Sequence, residues 1–415
     1  MIDILNIKFK KEPQTVFIKY DGKNITYQIF YYMVLNLIED IKNINDEYIG
    51  IQIENKLKLL VLVTAINRLK KIPVIFPNIP NIIDYINSSK VKITFKDKNI
   101  HLNQDKNNNN KNIEFESKAT QAVLFTSGTT GPPKACEITY ENFYESSLMW
   151  NKIIQFNKED IYLNHMPLNH VSGLCVFYRA LYLNFIMVLE NFNAQDYYKT
   201  IIKYKITHTS MVPSMLNSII HFKKNVLELI NLSAIIIGGS KIDSSLSNKI
   251  KKYRLPAYMS YGMTESCSGI AGYWIQKSNK FKPHHNVNIS VNNSTLLIKS
   301  ITIMKKYLNS KEMDFKFQTS DLCKINNDGL FEILGRSDGV LISGGEKISV
   351  MYVKTHIESY VEINSCILKI IEDKKWGEVL HAYLECEKDI TAKWVENKLR
   401  KNLPNYMIPK KINIL

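Results

Sequence analysis

Apolar residues recur at helical spacing over residues 28–43, with Ile29, Met33, Val34, Leu37, Ile38 and Ile41 on one face. The pattern shortens to a strand-like run at 47–53, turns helical over 56–70, and shortens again at Pro73-Val-Ile-Phe-Pro77. This alternation predicts α/β layers. Gln121-Ala-Val-Leu-Phe125 reads as a buried strand, and Thr139 can cap a helix running to about Trp150. Three further strands are predicted. One covers Ile206–Pro213, a second Ala234–Gly239 with a glycine corner, and a third Ala257–Glu265, running into a polar turn. After residue 290 the runs become short and alternating, as in a β-rich segment. Gly344-Gly345 marks a break. Beyond it, helices at Val350–Tyr360 and Ala392–Asn402 flank strands near 365–371 and 379–386, a small α+β unit. Residues 105–112, mostly Asn and Lys, read as a mobile connector.

Composition narrows the function classes. The chain has 415 residues, 45% of them hydrophobic, which allows two to three domains and a sizeable core. The formal charge of +15 comes mostly from lysines dispersed among Asn and Ile. That is AT-rich compositional drift, and no recognition module accompanies it, so nucleic-acid binding is not expected. A basic surface still attracts anionic substrates. The six cysteines form no C-x-x-C pair, which argues against zinc and dithiol chemistry and for a reducing compartment. The N-terminus has neither signal-peptide nor transit-peptide character. The longest apolar run, near 59–66, is too short to span a bilayer, so membrane insertion is not expected.

The run Phe125-Thr-Ser-Gly-Thr-Thr-Gly-Pro-Pro-Lys134 has the composition of a phosphate-holding loop. Thr126, Ser127, Thr129 and Thr130 supply hydroxyls, Gly128 and Gly131 let the backbone approach closely, and Lys134 adds a cation. The Walker A spacing is absent. Taken alone, the run is equally a solvated Ser/Thr/Gly turn. Four other segments have similar double readings. His170, in Met166-Pro-Leu-Asn-His-Val-Ser-Gly-Leu174, is a ligand-pocket residue or a structural histidine. In Tyr261-Gly-Met-Thr-Glu-Ser266, Thr264 and Glu265 suit a phosphate and a magnesium ion, or a helix cap. Asp321, in Thr319-Ser-Asp321, is a ribose acceptor or a turn aspartate. Arg336, in Gly335-Arg-Ser-Asp-Gly-Val-Leu-Ile-Ser-Gly-Gly-Glu-Lys347, is a donor fork for ribose or phosphate, or a surface ion pair.

In this order the segments make the chain similar to the adenylate-forming superfamily of acyl-CoA synthetases, luciferases and peptide-synthetase adenylation domains, over roughly residues 25–410. Three stretches, 166–174, 260–268 and 335–346, resemble the 2-succinylbenzoate–CoA ligase family most closely. The resemblance implies an α/β fold: a large N-terminal AMP-binding domain over 1–337, β-rich from about 290, and a small mobile C-terminal domain over 338–415. It implies ATP, CoA and Mg²⁺, with the carboxylate of 2-succinylbenzoate attacking ATP to give an acyl-adenylate and pyrophosphate, and CoA then displacing AMP. It implies a menaquinone or phylloquinone pathway. By motif matching, residues 126–134 hold the β- and γ-phosphates and Thr264 touches the α-phosphate. Glu265 binds Mg²⁺, Tyr261 and Gly262 lie against the adenine, Asp321 and Arg336 take the ribose, His170 lines the acyl pocket, and Asp338 is the hinge.

The chain departs from the family pattern in places. The family's catalytic lysine follows a segment like Pro404-Asn-Tyr-Met-Ile-Pro-Lys410, further along than Leu415, so slow adenylation is an expectation. Thr319-Ser-Asp321 replaces Thr-Gly-Asp, and Lys280-Phe-Lys-Pro-His-His285 replaces a glycine-rich stretch. The alternatives are a ligase for another aryl or acyl acid, an adenylation domain that loads a carrier protein, and a degenerate protein that holds ATP or acyl-AMP. The Asn/Ile/Lys bias leads us to expect a plastid-encoded protein, with a bacterial cytoplasm as the alternative.

Overall fold

The computed structural model describes residues 1–415 except 108, 110, 127–132, 338, 361 and 387–389. Its described strands form four sheets. The widest has nine strands. In spatial order they are Lys282–Pro283, Ser268–Trp274, Ala257–Met263, Ala234–Ile237, His208–Met211, Ile161–Asn164, Ile186–Leu189, Val16–Tyr20 and Lys23–Thr26. Its six central strands are parallel, and an antiparallel pairing closes each side. The central strands bury nearly every residue, as parallel strands covered on both faces must.

A second sheet of six strands runs Lys306–Tyr307, Lys134–Thr139, Thr120–Thr126, Ile72–Ile75, Tyr48–Gln52 and Ile93–Lys96. Between the two sheets lie amphipathic helices, among them Tyr27–Ile41, Lys56–Arg68 and Val171–Leu183, whose apolar faces merge into one core. Local chemistry starts these helices. Thr26 and Asn55 each accept a backbone N–H three residues on, and Thr139 and Asn142 form a reciprocal capping box for the helix Tyr140–Ile154.

The alternating stretch after residue 287 becomes a four-stranded antiparallel sheet, Asn288–Asn292, Thr295–Lys299, Lys316–Ile325 and Phe331–Arg336. The last sheet contains Val340–Ser343, Glu346–Ser349, Ile363–Asp373, Gly377–Cys386 and Lys411–Ile414. It packs on the helices Val350–Glu358 and Ala392–Asn402 around a core of its own that includes Leu341, Val353, Leu384 and Leu399. Gly344 and Gly345, at φ 57° and 93°, turn one hairpin of this sheet.

The structure differs from the sequence reading in three places. The helix Ile4–Lys11 and the hairpin Val16–Tyr20/Lys23–Thr26 precede the first periodic stretch and lack its signal. The chain after the hydroxyl-rich loop is a strand, Lys134–Thr139, paired antiparallel with Thr120–Thr126. Finally, the described part of the 105–112 segment is tied down. Asn107 donates to Asn36 at 2.8 Å, Arg68 donates to the Lys111 carbonyl at 3.0 Å, and Asn6 donates to Asn112 at 2.7 Å. Polar asparagines that look like connector composition here supply local hydrogen bonds. Among the described residues, no helix is long and apolar enough to cross a membrane.

Candidate active site

Edges of three sheets meet where the candidate residues lie. In the six-stranded sheet, Thr126 stands opposite Lys134 at the open end of the hairpin. Ser127, Gly128, Thr129, Thr130 and Gly131 lie outside the described residues, as does Asp338. What is described is therefore the rim of the loop. The Lys134 ammonium sits 5.4 Å from the centre of the Tyr307 ring, a cation–π contact. Tyr307 belongs to the edge strand that pairs with Lys134–Thr139.

The Tyr307 hydroxyl donates to Glu265 Oε1 at 2.9 Å. Burial and the adjacent Glu265 carboxylate raise the phenol's pKa, so it stays a donor. Glu265 lies in the one-turn 3₁₀ segment Thr264–Ser266, directly after the strand Ala257–Met263. Its carbonyl accepts from Met304 N–H at 2.8 Å, which ties this turn to the six-stranded sheet. The Glu265 side chain is only 5% exposed, and its Oε2 has no partner among the described residues. A buried carboxylate oxygen left without a donor is costly unless a cation or a polar ligand completes it.

On the far side of the same strand, Tyr261 donates to Asp321 Oδ2 at 2.5 Å. Arg336 Nη1 donates to Asp321 Oδ1 at 2.7 Å. Asp321 and Arg336 face each other across the antiparallel ladder, so register alone brings the pair together. The two residues expected to bind ribose thus bind each other. Each carboxylate oxygen keeps a second lone pair, so ribose hydroxyls can add to the pair without displacing it. Burial, then Asp321, push the Tyr261 phenol well above its ordinary value. Next along the chain, Gly262 leaves no room for a side chain: a Cβ there would come within 2.0 Å of the Ser268 carbonyl oxygen. The strand can therefore lie against its neighbour only with glycine at this position.

His170 occupies the N-cap position of the helix Val171–Leu183 without a side-chain capping bond, and its Nε2 lies 3.4 Å from Glu346 Oε1 of the C-terminal unit. Beside this contact, the Gly344-Gly345 turn packs on Gly239 and Val212; a Cβ on Gly239 would come within 3.0 Å of Gly345 Cα. The structure therefore gathers Lys134 and Glu265 through Tyr307, gathers Tyr261, Asp321 and Arg336 into one bonded group, and sets His170 against Glu346. Tyr307 was not picked out from sequence. It lies in the span 280–315, where the chain follows no recognisable motif, and only pairing of edge strands delivers it. Among the described residues, no three His, Cys, Asp or Glu side chains cluster as a metal cage. A cation here would rest on Glu265 and on phosphate oxygens.

Comparison with known proteins places the chain in a family and relates its fold to solved structures. The model of the AMP-binding enzyme family matches residues 73–298. A 2-succinylbenzoate–CoA ligase of Staphylococcus epidermidis is 29% identical, aligned over 94% of this chain and 88% of its own length. The Staphylococcus aureus protein of the same name is 30% identical over 72% of this chain and 64% of its own length. Among solved structures, a double mutant of o-succinylbenzoate CoA synthetase from Bacillus subtilis, bound with the product analogue OSB-NCoA, superposes with a TM-score of 0.88. It is 22% identical, and the match covers 100% of this chain and 95% of the other. The same Bacillus protein in complex with the acyl-adenylate intermediate OSB-AMP gives 0.73, at 23% identity and coverage of 100% and 94%.

Proposed function

We propose, from the premise that this chain belongs to the AMP-binding enzyme family, that it is an ATP-dependent 2-succinylbenzoate–CoA ligase. It joins the acid to AMP with loss of pyrophosphate, then transfers the acyl group to CoA with loss of AMP. The product serves menaquinone or phylloquinone synthesis. One observation carries the site assignment: Lys134, Tyr307 and Glu265 form a contiguous chain of contacts, and the buried Glu265 Oε2 has no partner among the described residues. A cation beside a carboxylate suits a magnesium-bound polyphosphate.

In this reading Lys134 and the hydroxyl-rich loop hold the terminal phosphates of ATP. Glu265 would hold Mg²⁺, with Tyr307 fixing its Oε1. The ion, when bound, neutralises phosphate charge. Thr264 contacts the α-phosphate. Tyr261 supports the adenine, and the Asp321–Arg336 pair takes the ribose hydroxyls. Charge neutralisation and positioning supply the rate, with no covalent step on the protein. The relatives' names support the substrate choice. The Lys-, Asn- and Ile-rich composition supports a plastid stroma, with a bacterial cytoplasm as the alternative.

The test is pyrophosphate release with ATP, Mg²⁺ and a panel of acids, with and without CoA. Release with 2-succinylbenzoate, and thioester formation once CoA is added, is the expected result. Release with fatty acids alone would assign another acid. No release with any acid would overturn the ligase reading.

A further inference from the structure

A second contact between the C-terminal unit and the large unit lies away from the candidate site. The short helix Ile83–Asn87 carries Asp84, whose Oδ2 accepts from the Tyr352 hydroxyl at 2.8 Å. The same oxygen lies 3.5 Å from His356 Nε2. Tyr352 and His356 are one turn apart on the helix Val350–Glu358, with ring centres 4.5 Å apart. His356 Nδ1 faces the Tyr352 carbonyl at 3.3 Å.

Asn81 extends the contact, donating to Asn402 at 2.9 Å. Together these residues bridge a polar cleft of about 160 Å³. The Asp84 side chain is 36% exposed, so water competes for it and the hydrogen bond from Tyr352 is the stronger member.

We infer that Asp84 is a positioning residue for thioester formation: its clasp on Tyr352 and His356 holds the C-terminal unit where Glu346 meets His170. The helix bearing Tyr352 follows directly on the strand Glu346–Ser349, so seating that helix on Asp84 fixes where the strand enters the site. The step assignment rests on the proposed ligase function. It draws on the better superposition with the product-analogue complex than with the acyl-adenylate complex, 0.88 against 0.73. Among the described residues Asp84 touches none of the candidate site, so its effect is on where the C-terminal unit rests and not on the reacting atoms.

The experiment uses the full chain with Asp84→Asn, Asp84→Glu and Tyr352→Phe. Adenylation is read as pyrophosphate release without CoA. Thioester formation is read separately, from preformed acyl-adenylate and CoA. In Asp84→Asn the thioester step should fall about tenfold, the loss expected for one charge-assisted hydrogen bond, while adenylation holds within about twofold. Asp84→Glu should restore part of the loss, and Tyr352→Phe should reproduce most of it. Equal loss in both steps, or no loss in either, overturns the inference. Hydrogen exchange of the amides at 350–358, without ligands, gives an independent readout: exchange should rise in Asp84→Asn, and unchanged exchange overturns the clasp. If the unaltered protein performs neither step with any acid, the ligase reading fails, while the exchange comparison still decides the clasp.

Discussion

Arg336 closes on Asp321 at 2.7 Å across an antiparallel ladder, and the Tyr261 hydroxyl takes the other carboxylate oxygen. Two side chains from two sheets thereby share one buried acid. Breaking such a pair on one side leaves a charge unpaired in the interior, at a cost of about 3 kcal/mol or more. Asp321→Asn should therefore lower thermal stability and raise the KM for ATP together. Calorimetry and ATP titration of the rate check both, and a stability loss with an unchanged KM would mean that the pair only joins the sheets.

Lys134 is held over Tyr307 at the mouth of the loop. Lys134→Ala removes a cation without opening a buried cavity. Pyrophosphate release should drop by about two orders of magnitude, as for other preorganised charge contacts. Thioester formation from preformed acyl-adenylate should change far less. Equal loss in both steps would make the lysine structural.

Glu265 presents one bonded oxygen and one with no partner among the described residues. Tyr307→Phe removes the donor and frees Oε1, so the carboxylate loses its fixed orientation. The Mg²⁺ concentration giving half-maximal rate should rise about tenfold, by about the worth of one charge-assisted hydrogen bond. Glu265→Gln should raise it further and cut the maximal rate. A titration of rate against Mg²⁺ distinguishes the two variants, and an unchanged Mg²⁺ requirement in Glu265→Gln would place the ion elsewhere.

Stability should fall on the acid side. Burial depresses the His165 and His284 pKa values from 6.5 to about 3, with nearby cations adding to the effect. The unfolded chain binds these protons near pH 6.5 and the folded chain only near pH 3. Between those values the unfolded state holds more protons, so stability is full above 6.5 and declines as the pH drops toward 3. Each histidine accounts for about 1 kcal/mol of loss by pH 5.5. The melting temperature should be flat from pH 7 to 8 and fall below 6.5, with a shallower fall in His284→Gln. A fall of equal steepness in that variant would shift the cause to other groups.

Much of the molecule is legible without coordinates. The helix Tyr27–Ile41, the buried strand Ala234–Ile237 and the helix Ala392–Asn402 each announce themselves by spacing and caps within a dozen or so residues. Those signals are local, because side chains one turn apart or on alternate positions experience one face of the same element. The turn at Thr264-Glu265, which follows the strand Ala257–Met263, is legible for the same reason: a strand running into a polar turn is a contiguous signal. Partners that meet across elements are a different matter. That Asp321 is satisfied by Arg336, that Tyr307 is the donor to Glu265, and that Asp84 waits for Tyr352 follow from register and packing over separations of 15, 42 and 268 residues. The sequence by itself determined the elements and the residue types that line the site. Only the tertiary structure decided which of them touch, because long-range pairing depends on how sheets twist and stack, and no spacing along the chain encodes that.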